Sequence, residues 1–139
     1  MTTLASQSGW LTGVSRESAT HSRIGSRLLW AAQIVAAAAF LMSGGMKLLG
    51  LGPAPEMFAI IGLGQWFRYL TGAIEVVSAV LLLVPGLAFF GAALLVPTMI
   101  GAIATHLFII GGTPVPAIVL LAVTATIAWQ RRPTPRRNE

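Results

Sequence analysis

Three long apolar stretches of this chain each carry one ionisable residue in their body: Lys47 in the first, Glu75 in the second and His106 in the third. A charge at the centre of a bilayer costs ~3 kcal/mol on insertion scales. Such groups therefore turn toward a bundle interior, pair with one another and mark functional sites. One of the three is basic, one acidic and one titrates near neutral pH. Together they predict a single hydrogen-bonded cluster, provided the chain can bring them to one depth.

Composition fixes the setting. The chain has 139 residues, of which 55% are hydrophobic and 9% charged, with a mean hydropathy of +0.81. Soluble domains carry about a quarter charged residues, so the expected class is an all-α, polytopic membrane protein with a four-helix bundle. The net charge of +5 is not a nucleic-acid signal, because seven of the nine basic residues lie at the two chain ends. With no cysteine, thiolate catalysis, disulfides and cysteine-based metal sites have no ligands in this chain.

Four apolar spans are legible, over Leu28–Leu49, Trp66–Val84, Leu87–Ile110 and a shorter Val115–Trp129. About 20 helical residues cross a hydrocarbon core. Arg68 and Tyr69 in the first turn of the second span are expected in the headgroup region. Gly50 to Gln65 is rich in Gly and Pro and has room for a short re-entrant or interfacial turn. Pro85-Gly86 and Gly111-Gly112-Thr113-Pro114 read as tight connections between antiparallel helices. The expected organisation is a disordered cytoplasmic tail over 1–26, a transmembrane domain over 27–130 and a basic cytoplasmic tail over 131–139.

Helical spacing places Gln33, Phe40, Ser43 and Lys47 on one face of the first span, and Thr71, Glu75 and Ser78 on one face of the second. Thr98, Ala102 and Thr105 share a face of the third, with His106 at its edge. Counting a rise of ~1.5 Å per residue, all three ionisable groups fall in the same half of the bilayer. The candidate binding or proton-relay residues are thus Lys47, Glu75 and His106, supported by Phe40, Ser43, Thr71, Ser78 and Thr105. No residue is assigned as catalytic. The structural alternatives are that Lys47 snorkels to the headgroups, His106 only satisfies a backbone carbonyl, and Glu75 serves helix packing. With one histidine in the membrane and no second ligand near it, no haem, flavin, transition metal or other tightly bound cofactor is expected.

The stretches SGGMKLLG (Ser43–Gly50), GQWFRYLTGAIEVVSAVLLLVPG (Gly64–Gly86) and GAALLVPTMIGAIATHLFIIGG (Gly91–Gly112) resemble the DoxX family of small bacterial membrane proteins. The resemblance rests on Gly44 and Lys47 closing the first helix, Glu75 before the Leu82–Gly86 turn, and His106 late in the third helix. It implies a four-helix protein of the bacterial cytoplasmic (inner) membrane. Some relatives are linked to sulfur or quinone redox chemistry, and others to oxidative-stress complexes. The implied role is an accessory or quinone-facing subunit of a membrane redox system, not an enzyme on its own. Its partners would be membrane lipid and a membrane or soluble oxidoreductase subunit, and its ligand a quinone. A small proton-coupled transporter or permeability protein, or a structural membrane component, are the alternatives.

The excess of arginine at both ends predicts that both tails face the cytoplasm. Single cysteines introduced into the tails should resist an impermeant thiol reagent in intact cells. Labelling of either tail would overturn the orientation.

Overall fold

The computed structural model describes the backbone of residues 9–133 and the side chains of residues 23–133. Every element among them is helical: α1 (Gly9–Leu49), α2 (Ala54–Ile61), α3 (Gln65–Leu83), α4 (Ala88–Thr105), a π-helical segment (His106–Ile110) and α5 (Val115–Arg131). Two compact units are distinguishable, one ending at Ala31 and one beginning at Ala32. The second holds the bundle described below. Arg23–Leu49, Gln65–Leu83 and Ala88–Ile110 are long and apolar enough to cross a membrane, and Val115–Arg131 is a shorter apolar helix.

Two expectations about the ends change. The first helix starts at Gly9, so residues 9–26 are not an unstructured tail. No proline interrupts the chain between Met1 and Leu49, so nothing in this stretch removes a helical N–H donor and the helix of the apolar span runs on upstream. Residues 1–8 and 134–139 of the expected tails lie outside the described residues. At the other end, Arg131 belongs to the last turn of α5 rather than to the tail.

Glycine ends α1 cleanly. Gly50 takes φ +68°, Leu51 N–H donates to the Met46 carbonyl at 2.9 Å, and Gly50 N–H donates to that of Lys47 at 3.4 Å. This is the Schellman arrangement that satisfies the last carbonyls of a helix. The following segment forms α2, opened by Pro53 and Pro55 and closed by left-handed Gly62. Phe58 buries itself and meets Phe67 of α3 with ring centroids 5.8 Å apart.

Within the second unit the helices alternate in direction. Gln33 near the start of this part of α1 reaches Leu82 at the end of α3, while Lys47 at the end of α1 reaches Glu75. Arg68, Gly72, Glu75, Ser78, Ala79 and Leu82 form the buried stripe of α3 at helical spacing. Its neighbour α4 buries Ala88, Gly91, Ala92, Leu95 and Met99 and packs between α3 and α5, with Pro97 on its exposed side. Pro97 offers no N–H to the Ala93 carbonyl, yet α4 runs as one helix from Ala88 to Thr105.

Small residues set how close the helices come. A Cβ placed on Gly44 would lie 2.8 Å from the Gly72 carbonyl oxygen, and one on Gly91 would lie 2.6 Å from that of Ser78. In lipid, where apolar surface is not driven out of water, such backbone approach carries much of the packing energy. Gly91→Ala should therefore lower stability by about 1–3 kcal/mol through overpacking. Gly45→Ala, with nothing within 4 Å of its added Cβ, should be neutral or slightly stabilising. Denaturation midpoints of the two variants in one detergent test the contrast.

Candidate functional site

Lys47 lies in the last turn of α1, where a cation complements the negative end of the helix dipole. Its stem rests against Gly72, whose missing side chain leaves room for the Lys47 Cβ. From there Nζ donates to both oxygens of Glu75 at 2.7 Å and to Ser43 Oγ at 2.9 Å. An ammonium has three protons, so Lys47 is saturated by these three acceptors. Burial is unequal: the Lys47 side chain is 20% exposed and that of Glu75 3%. The pair thus opens on its ammonium side and is closed behind its carboxylate.

A second cation stands beside the first. Arg68 is 5% exposed, where an interfacial, solvated side chain was expected. Its Nη1 donates to the Lys47 carbonyl, and its Nε donates to Gln65 Oε1 at 2.6 Å. Its guanidinium carbon stands 4.3 Å from the centroid of the Tyr69 ring. Gln65 Nε2 in turn donates to the Pro55 carbonyl at 3.1 Å. A continuous polar chain therefore runs from the start of α2 through Gln65 and Arg68 to the backbone of Lys47. Arg68 becomes buried because its guanidinium folds over the end of α1, against the Lys47 carbonyl and beside left-handed Gly50. The available sequence signal was the Arg68/Gly50 combination, an arginine facing a left-handed helix end.

The other expected residues divide. Ser43 is a direct partner of Lys47. Phe40 is fully buried on α1, one helical turn before Ser43. Ser78 is fully buried one turn beyond Glu75, and its hydroxyl has no hydrogen-bond partner. Thr71 and Thr105 instead bond carbonyls of their own helices, Phe67 and Arg68 for the first and Gly101 for the second. His106 is half-buried at the start of the π-helical segment, and its Nδ1 lies 3.1 Å from the Gly111 carbonyl oxygen. That contact within one turn is the local alternative weighed for it, and the ion pair forms without it. The π-helical segment packs on α2 instead.

A second polar tie lies about four turns earlier on α1. Gln33, fully buried, donates Nε2 to the Leu82 carbonyl at 2.7 Å and accepts from Arg131 Nε at 2.9 Å. The Leu82 carbonyl belongs to the last turn of α3, whose carbonyls have no intrahelical donor. Gln33 was legible as one member of a helical face, but its partners come from the ends of α3 and α5.

With the geometry in place, comparison adds the family. The model of the DoxX-like family matches residues 31–130. No curated protein and no solved structure gave a significant match. The matched segment contains Gln33, Lys47, Arg68, Glu75, Ser78 and His106, and the chain belongs to the DoxX-like family.

Breaking a buried ion pair by removing one partner costs ~3–5 kcal/mol, whereas replacing both is often neutral. Lys47→Met should destabilise by roughly that amount, because the enclosed carboxylate of Glu75 is stranded. Lys47→Met combined with Glu75→Gln should recover most of the loss. Denaturation curves for the four members of this double-mutant cycle check it; a double-variant loss equal to the sum of the two single losses would show that the charges are not coupled.

Proposed function

We propose that this member of the DoxX-like family is an accessory subunit of a redox system in the bacterial cytoplasmic membrane, and that the Lys47–Glu75 pair is its ligand-facing, proton-handling site. The observation that carries the reading is the asymmetric burial of the pair, with an enclosed carboxylate and an ammonium open on one side. Two cations, Lys47 and Arg68, stand at the end of α1 against the single carboxylate of Glu75. Such a place favours a ligand presenting an anionic or carbonyl oxygen. A quinone is the leading candidate, since it reaches the site through lipid. Lys47 donates to its oxygen, and Glu75 exchanges the proton. Electrons come from an oxidoreductase partner.

One observation favours a second reading, a small proton-coupled transporter. A quinone carbonyl held by both Lys47 and His106 would need an imidazole donor, and His106 Nδ1 is engaged with the Gly111 carbonyl. A small anion needs only the Lys47 end.

Mild detergent extraction followed by lipid analysis separates the two. Stoichiometric quinone supports the redox role, and proton-linked anion flux in liposomes without bound quinone supports transport. In either case Glu75→Gln, which keeps an acceptor for Lys47, should yield folded, inserted protein with no activity in a complementation assay. A fully active Glu75→Gln variant would remove the central residue from the mechanism.

A further inference from the structure

Ser78 departs from what the threonine hydroxyls of these helices do. Thr71, Thr98, Thr105, Thr124 and Thr126 each donate to a carbonyl of their own helix. This is the ordinary fate of a hydroxyl in an apolar helix. Ser78 is fully buried and makes no such bond. It sits three residues after Glu75, where side chains of one helix are neighbours. On its other flank α4 presses close, with Gly91 against the Ser78 carbonyl. A polar side chain is thus enclosed and without a partner beside the one buried carboxylate among the described residues.

Glu75 has two chemical states with opposite needs. As a carboxylate it only accepts, and Lys47 supplies its donors. Once it gains a proton it becomes a donor, its charge is gone, and its hold on the ammonium weakens. The new O–H then requires an acceptor inside the bundle. Ser78 Oγ is a buried oxygen with both lone pairs unused.

We propose that Glu75 and Ser78 form a proton-holding site, in which the carboxyl pairs with Lys47 when ionised and donates a hydrogen bond to Ser78 Oγ when protonated, releasing the Lys47 ammonium to a ligand that presents an anionic or carbonyl oxygen. The proton arrives from the open Lys47 side and forms one O–H bond on Glu75; no other bond is made or broken. Ligand and proton then bind together, each favouring the other by the reciprocity of linked equilibria. This deepens the reading of Glu75 as the proton-handling group and rests on it.

The surroundings leave the exchange to these residues. From α1, Lys47 is the charged group on Glu75. Arg68, two turns earlier on α3, is held by the Lys47 carbonyl and Gln65. No residue of α4 is titratable. Arg131 of α5 is bonded to Gln33 at the far end, Glu56 of α2 is exposed, and His106 is engaged with Gly111.

Infrared difference spectroscopy of the full chain in membranes, taken from neutral to acid pH, tests this without ligand or partner. A carbonyl-stretch band of a protonated carboxyl should appear and be missing in Glu75→Gln. In Ser78→Ala the band should move to higher frequency, as expected when a carboxyl loses its hydrogen-bond acceptor. Ser78→Cys, whose thiol is a weaker acceptor, should fall between and serves as the second variant should the alanine protein fail to fold. A Glu75 band unmoved by either Ser78 variant overturns the proposal while leaving Glu75 as a proton carrier. Absence of any Glu75-dependent band at every pH where the protein stays folded overturns both.

Discussion

An ammonium and a carboxylate held 2.7 Å apart in an apolar bundle set the terms for what surrounds them. Taking both charges out of water costs several kcal/mol each, recovered only when geometry and remaining hydrogen bonds are good. Here Ser43 completes the ammonium, and Gly44 and Gly72 bring the α1 and α3 backbones close enough for the short bond to form. A side chain at either glycine would push the helices apart and lengthen the pair. The close crossing and the ion pair are one requirement met by four positions.

The end of α1 is built to the same purpose. Its carbonyls carry the negative pole of the helix, and they are met by the Gly50 and Leu51 amides and by Arg68. Arg68 also binds Gln65, which reaches the first turn of α2. The helix that carries Lys47 is therefore tied to the connecting segment, and α2 is tied through Phe58 and Phe67 to α3. Any movement of α2 reaches the ion pair through two side chains rather than through a loose loop.

The parts of this arrangement legible in the sequence were those written in one helix at a time. Apolar length located the spans, Pro and Gly located the breaks, and periodicity put Glu75 and Ser78 on one face. What remained hidden depends on which helix end meets which. Arg68 reads as interfacial because it opens a span, yet the chain folds it over the end of α1. Arg131 reads as a topological charge in a basic tail, yet it ends α5 and bonds Gln33, 98 residues earlier. His106 shares a depth with the pair, but depth says nothing of azimuth. The π-helical turn gives it a local carbonyl instead.

The two polar ties along α1 differ in a way that bears on function. Gln33 is an amide that does not titrate, and Arg131 keeps its charge at any physiological pH. Their bonds to each other and to Leu82 tie the body of α1 to the last turns of α3 and α5. Lys47 and Glu75 are the opposite kind of pair, since a proton on the carboxylate removes the charge that binds them. One end of the bundle is thus a fixed anchor and the other a contact that chemistry can undo. Because α1 carries both, a change at Lys47 acts against a helix that is already held at Gln33.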